Sequence, residues 1–124
     1  MADVTAKKFE DVPAFEGPQA IPGIRFRRVG RALAVGAWGM NVIEIAAGCS
    51  GYPEHDHTKD GQEEVYVVLE GSGTLAAEGN ETKLNRGSFV RVGPTVRRKV
   101  QPGPEGIVLL VLGATPGQAY RPRT

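Results

Sequence analysis

Both histidines of the chain fall in one stretch, HDHTKDGQEEVYVVLEG, which spans residues 55 to 71. On an extended backbone, residues two apart leave the same face about 7 Å from each other, so the imidazoles of His55 and His57 can lean together onto one ion. Glu64 heads the run VYVVL, where a neighbouring strand could bring its carboxylate to the same point. Two imidazoles and one carboxylate with open positions form the donor set of non-haem iron(II) oxygenases and of some catalytic zinc centres. A blander reading competes, because an isolated His-x-His beside Glu54, Asp56 and Asp60 also describes a solvated polar loop. Glu64 weighs against it: a charge immediately before a strand that is apolar on both faces is costly without a partner.

A second run, TVRRKV, carries the other candidate group. Alternation puts Val96, Arg98 and Val100 on one face and Arg97 and Lys99 on the other, which points Arg98 inward. A bulge at Gly93-Pro94 would shift that register and turn it to solvent. A guanidinium has no lone pair to give and stays protonated, so Arg98 cannot be a metal ligand. At an effective dielectric of about 20, a divalent ion and Arg98 about 4 Å apart would repel by roughly 8 kcal/mol before Glu64 offsets it. Two arrangements survive. In one, an ion sits on His55, His57 and Glu64 while Arg98 stands off and clamps an anionic substrate. In the other, Arg98 pairs with Glu64, replaces the ion and leaves a metal-free pocket for a carboxylate, phosphate or sugar acid.

Further candidates are weaker. Tyr66 shares Glu64's face and could line the pocket or act as an acid, or pack in the core with its hydroxyl bonded. Glu63 falls on the opposite face and reads as solvated. The lone Cys49, after Ala-Ala-Gly, reads as a small buried residue rather than a nucleophile. Trp38, Met40 and Phe89 are expected to fill the interior. The run from Arg86 to Lys99 holds no acid but only Phe89 to stack on, so it reads as a solvated strand face rather than a nucleic-acid site.

These residues need strands to place them. With 124 residues the chain fits one domain with one core, and a net charge of +1 announces neither nucleic acid nor an anionic membrane. One cysteine excludes an intrachain disulfide, and no apolar run reaches membrane-spanning length. With no basic-then-apolar leader, a soluble cytoplasmic protein is expected. Seventeen glycines and nine prolines punctuate short β-branched runs, the pattern of an all-β chain. The strands expected are IRFRR, RALAVGAW, MNVIEIAA, the VYVVL run, a hairpin turning at Gly79-Asn80, SFVRV, TVRRKV and GIVLLVLG. Breaks are expected at Gly93-Pro94 and at PGPEG. Counting the hairpin's arms, this makes roughly nine or ten strands, as in a sandwich or barrel. Residues 1–22 read as an extended arm, 23–113 as the barrel and 114–124 as a surface strap.

The quoted stretch resembles the first motif of the cupins: His55-Asp56-His57, then Glu64, six residues and Gly71. Cys49 stands at that motif's first glycine, flanked by Gly48 and Gly51, and the gap between His57 and Glu64 is slightly long. GSFVRVGPTVRR is similar to a worn second motif that starts at Gly87, with Gly93 at its proline, Thr95 at its second glycine and Pro102 at its asparagine. Arg98 stands where the fourth metal ligand would be. The resemblance covers about residues 40 to 113. It implies a double-stranded β-helix, the small jelly-roll cupin barrel, holding a divalent transition metal (iron, manganese, nickel or zinc) on His55, His57 and Glu64. It further implies dioxygenase, isomerase or related chemistry on a small anionic substrate, or else a non-catalytic sugar- or carboxylate-binding module. Pairing of such barrels through their sheets implies a homodimer, and residues 1–22 suit exchange onto a neighbour's edge strand.

Overall fold

The computed structural model describes residues 2–122. Met1, Arg123 and Thr124, which belong to the expected arm and strap, lie outside the described residues. The chain forms a 3-10 turn at Phe9–Asp11 and then β1 (Ile24–Arg27), α1 (Val29–Ala32) and β2 (Gly39–Ile45). β3 (Glu63–Ala77), β4 (Asn80–Asn85), β5 (Phe89–Val92) and β6 (Arg98–Ala114) follow. All pairings are antiparallel, in the order β1-β2-β6-β3-β4 with β5 also on β3.

Fewer, longer strands appear than the expected nine or ten because β3 and β6 each serve both halves of the barrel. They pair from Glu63 opposite Ala114 to Ala77 opposite Arg98, and the register slips between Val68 and Glu70 and between Gly71 and Gly73. There the strands bend. Gly71 and Gly106 have φ of 77° and 79°, and a methyl group on Gly71 would overlap the Gly106 carbonyl oxygen. PGPEG therefore breaks nothing: it lies inside β6 at this irregularity, where a strand tolerates proline. The break at Gly93-Pro94 separates β5 from β6.

Two other expectations are corrected. RALAVGAW is no strand: its start lies in α1, and Gly30 is buried so close to Met40 that a Cβ would sit 2.9 Å from the Met40 carbonyl oxygen. The hairpin turns at Glu78-Gly79, with φ of 52° and 80°, and Asn80 already pairs with Ala77 in β4.

The inward rows of β2, β3 and β6 supply the core, with Ile43, Ile45, Tyr66, Val68, Leu109 and Val111 all buried. Trp38 and Phe89 do not fill it, being 43% and 74% exposed. Register explains Phe89 and Met40: Phe89, Val67, Leu110 and Val42 form one row, and Met40, Leu112, Val65 and Arg91 the next but one, both on the outer face. The N-terminal segment lies on its own barrel. Phe15 donates its amide to the Phe26 carbonyl at 2.7 Å, Val12 is buried, and the buried Arg27 guanidinium reaches the Val12 carbonyl at 2.8 Å and Glu44 at 3.2 Å.

Candidate metal centre

The mouth of the barrel is built where β3 begins. Glu64 pairs with Gly113 on one side and Val92 on the other, and its inward side chain is 12% exposed. Residues 55–57 run antiparallel to the chain entering β6: His55 and Arg98 exchange both backbone hydrogen bonds, at 3.0 and 2.9 Å, and the His57 amide donates to the Pro94 carbonyl at 2.8 Å. That pairing aims both imidazoles inward. The long interval before Glu64 is taken up by a turn in which Asp56 accepts from the Thr58 amide and Asp60 from the Gln62 amide, with Gly61 at φ 69°. The Thr58 amide holds the Asp56 carboxyl below its usual range.

The hydrogen bonds decide the tautomers. His55 Nδ1 lies 3.1 Å from the Pro53 carbonyl oxygen and His57 Nδ1 3.0 Å from Asp60, and neither partner can donate, so both Nδ1 atoms carry protons. In the neutral rings both Nε2 lone pairs therefore face Glu64, His55 at 3.6 Å from Oε1 and His57 at 3.3 Å from Oε2. His57 Nε2 is buried without a hydrogen-bond partner. Lone pairs facing a carboxylate need something positive between them. Imidazolium–carboxylate hydrogen bonds would close to about 2.7–2.9 Å. Neighbouring donors around an ion with bonds of about 2.0–2.2 Å stand roughly 3.0–3.5 Å apart, which matches the separations found better. All three donors lie within 4.8 Å of one another. The residues thus fit a metal, and the Asp60–His57 contact is the outer support that such a histidine ordinarily has.

Two buried tyrosines and Arg98 complete the site. Tyr66, fully buried, donates its hydroxyl to Glu64 Oε1 at 3.0 Å, which leaves its oxygen to accept from Tyr52 at 3.2 Å. Burial pushes the Tyr52 hydroxyl up to about 12 and raises that of Tyr66 as well, so both stay protonated donors. Burial would also raise Glu64, but the neighbouring imidazoles, the hydrogen bond from Tyr66 and the charge of Arg98 outweigh it and hold the carboxyl below its usual range.

Arg98 is 0% exposed, so alternation placed it correctly. Its guanidinium is loosely held: Nη1 lies 3.4 Å from the His55 carbonyl, Nη2 3.4 Å from that of Gly93 and 3.8 Å from Glu64 Oε1, and Nε has no partner. Outside the mouth a shallow depression of about 250 Å³ is lined by His55, His57, Lys59, Asp60 and Arg97 among others.

Other residues stay apart from this cluster. Cys49 packs half-buried against Gly23 and the Pro22 carbonyl, and Glu63 pairs with Arg91 at 2.8 Å on the outside. The basic run presents no continuous cationic stripe, since Arg91 and Arg97 are paired with acids and Arg98 is inside. Sequence reasoning missed Tyr52 and the part played by Asp60. The signal for Asp60 was its place three residues after His57, whereas Tyr52 meets Tyr66 only through the fold.

Comparison with known proteins agrees with this geometry. The family model for the cupin domain matches residues 41–113. A search of curated proteins finds no match. Among solved structures, a cupin protein from Bacteroides fragilis is 20% identical, covering 89% of this chain and 91% of its own, with a TM-score of 0.66. A sugar phosphate isomerase of the cupin superfamily from Silicibacter pomeroyi is 18% identical, covering 89% and 75%, with a TM-score of 0.74. A predicted oxalate decarboxylase from Thermotoga maritima is 14% identical, covering 90% and 99%, with a TM-score of 0.72. At these identities the structures establish the fold, and the family match over most of the barrel establishes membership: the chain belongs to the cupins.

Proposed function

We propose that the protein is a metal-binding cupin whose His55, His57 and Glu64 hold one divalent transition ion and which acts on a small anionic substrate. The observation that carries this reading is the buried, unpartnered Nε2 of His57, set with that of His55 against a carboxylate at ligand-to-ligand distances. An ion of iron, manganese, nickel or zinc there would supply a Lewis acid with open positions, suited to oxidation or isomerisation. The chain's own residues do the rest. Tyr66, read from sequence as a possible acid, is buried and spends its proton on Glu64, so its part is to hold that carboxylate in place. Lys59 and Arg97 stand at the rim of the depression beside Glu54, Asp56 and Asp60, and Arg98 supplies a fixed positive charge behind Glu64. Chemistry on sugar phosphates or on oxalate, named for two of the similar structures, fits such a site.

A second reading rests on the 3.8 Å approach of Arg98 to Glu64: the pair itself fills the site, and the protein binds a carboxylate or sugar acid without catalysis. Elemental analysis of the purified, tag-free protein separates the two. About one equivalent of metal, lost in His55→Ala, His57→Ala and Glu64→Ala, is the expected result. Wild type that stays empty after reconstitution with metal and a small carboxylate such as acetate would hand the site to the second reading.

A further inference from the structure

Besides His57 Nε2, the group among the described residues at the mouth whose bonding is unfinished is Arg98. Of five guanidinium donors, Nε has no partner and the two Nη contacts to carbonyls are long, at 3.4 Å each, although the side chain is fully buried. Such a charge cannot leave its place cheaply, because it opens β6 two residues before the buried Val100 and its backbone is locked to His55.

An ion on the two neutral histidines and Glu64 therefore arrives beside a charge of its own sign. Two positive charges on the ion and one on Arg98 face Glu64 and, behind His57, Asp60. Around the rim Arg97 is paired with Glu54 at 3.0 Å and approaches Asp56 at 4.0 Å, and Lys59 adds a further cation, so the rim acids are already answered. One positive charge is left without an answer in a half-buried place, where charges are poorly screened.

We infer that His55, His57 and Glu64 take up a divalent ion tightly only together with a small oxyanion, a carboxylate in the first instance, because Arg98 adds a buried positive charge that Glu64 and Asp60 do not cover. The inference rests on the metal-binding reading above and adds an order of events to it. Without its anionic ligand the site keeps the Arg98–Glu64 contact and holds metal weakly; with the ligand, ion and anion enter as a neutralising pair. The depression that His55 and His57 line, about 250 Å³, has room for such an anion. Binding of the two is reciprocal by linkage, so the anion is likewise held weakly without the ion.

The test is manganese(II) binding to chelator-treated full-length protein, followed by the loss of the free-ion electron paramagnetic resonance signal. It is run with acetate and, at equal ionic strength, with the bulky sulfonate MOPS as the only anion. Wild type should bind at least tenfold more tightly in acetate. Arg98→Met should bind tightly in MOPS and gain less than threefold from acetate, while Arg98→Lys, which keeps the charge, should keep the dependence on acetate. Equal affinity of wild type in both media, or undiminished dependence in Arg98→Met, overturns the inference and leaves the metal site standing. No manganese bound by wild type, Arg98→Met or Arg98→Lys in either medium overturns the metal reading and the inference with it.

Discussion

Glu64 is asked to satisfy four neighbours at once, and its substitution separates their effects. In the metal-free protein the carboxylate answers Arg98 at 3.8 Å and accepts from Tyr66 at 3.0 Å. Glu64→Gln keeps the shape and removes the charge, leaving a fully buried guanidinium uncovered. Breaking one side of a buried pair costs about 3 kcal/mol, so the variant should unfold at clearly lower urea concentration. The double variant Glu64→Gln, Arg98→Met should recover most of the loss. Equal stability of Glu64→Gln and wild type would mean that Arg98 is not balanced by Glu64. The pH dependence has a definite sign. Because the folded carboxyl sits below its unfolded value, its stabilisation is present above the ordinary carboxylate range and is lost as pH falls through the lower folded value. Wild type should therefore lose stability on acidification more steeply than Glu64→Gln does.

At the scale of elements, the two long strands set the site by bending at glycine. Gly71 and Gly106 meet where β3 and β6 change register, so the chain beyond the bend can carry Arg98 back beneath the mouth formed by Glu64. Gly71→Ala combines a left-handed backbone with overlap on a carbonyl oxygen and should cost about 3 kcal/mol. Gly79→Ala, with φ 80° but open space around it, should cost only about 1 kcal/mol. Urea midpoints of the two variants give the comparison, and equal losses would show that the close approach at the bend is unimportant. These elements also mark what was legible. Alternation alone found β1, β2, β5 and the inward turn of Arg98, since period-2 patterning is a local property. The spacing of His55, His57 and Glu64 was readable for the same reason. The joining of β3 across Gly71, and of β6 across PGPEG, was not, because whether a glycine or proline ends a strand or bends it depends on the partner opposite. RALAVGAW failed for a related reason: its apolar residues suited a strand, and only the burial of Gly30 against Met40 made a helical turn the better fit. Tyr52 was invisible because its hydroxyl meets Tyr66 across the barrel.

For the whole molecule, surface area points to a partner. The described chain exposes 8108 Å². A compact monomer of 13.2 kDa exposes about 6400 Å², and the excess is about twice the roughly 800 Å² that each partner contributes to a standard interface. The arm supplies part of it, since residues 2–8 and 16–20 are exposed throughout. On the outer sheet face the row Phe89, Val67, Leu110 and Val42 crosses four strands; Val67 and Val42 are already buried within the chain, Leu110 is half-buried, and Phe89 stands 74% exposed. We expect a second copy of the chain to cover Phe89, because an exposed phenylalanine buries itself when a two-fold axis sets it against its own copy. Within the single chain, Val12, Ala14 and Phe15 engage β1 through Arg27 and Phe26, so the outer face is the interface expected first and the arm the alternative. Light scattering at micromolar concentration should give twice the chain mass, and Phe89→Glu should give the chain mass with the fold intact by circular dichroism. Deletion of residues 2–8 should leave the dimer unchanged. A monomeric wild type would leave the outer face without this partner, and loss of the dimer on that deletion would return the interface to the arm.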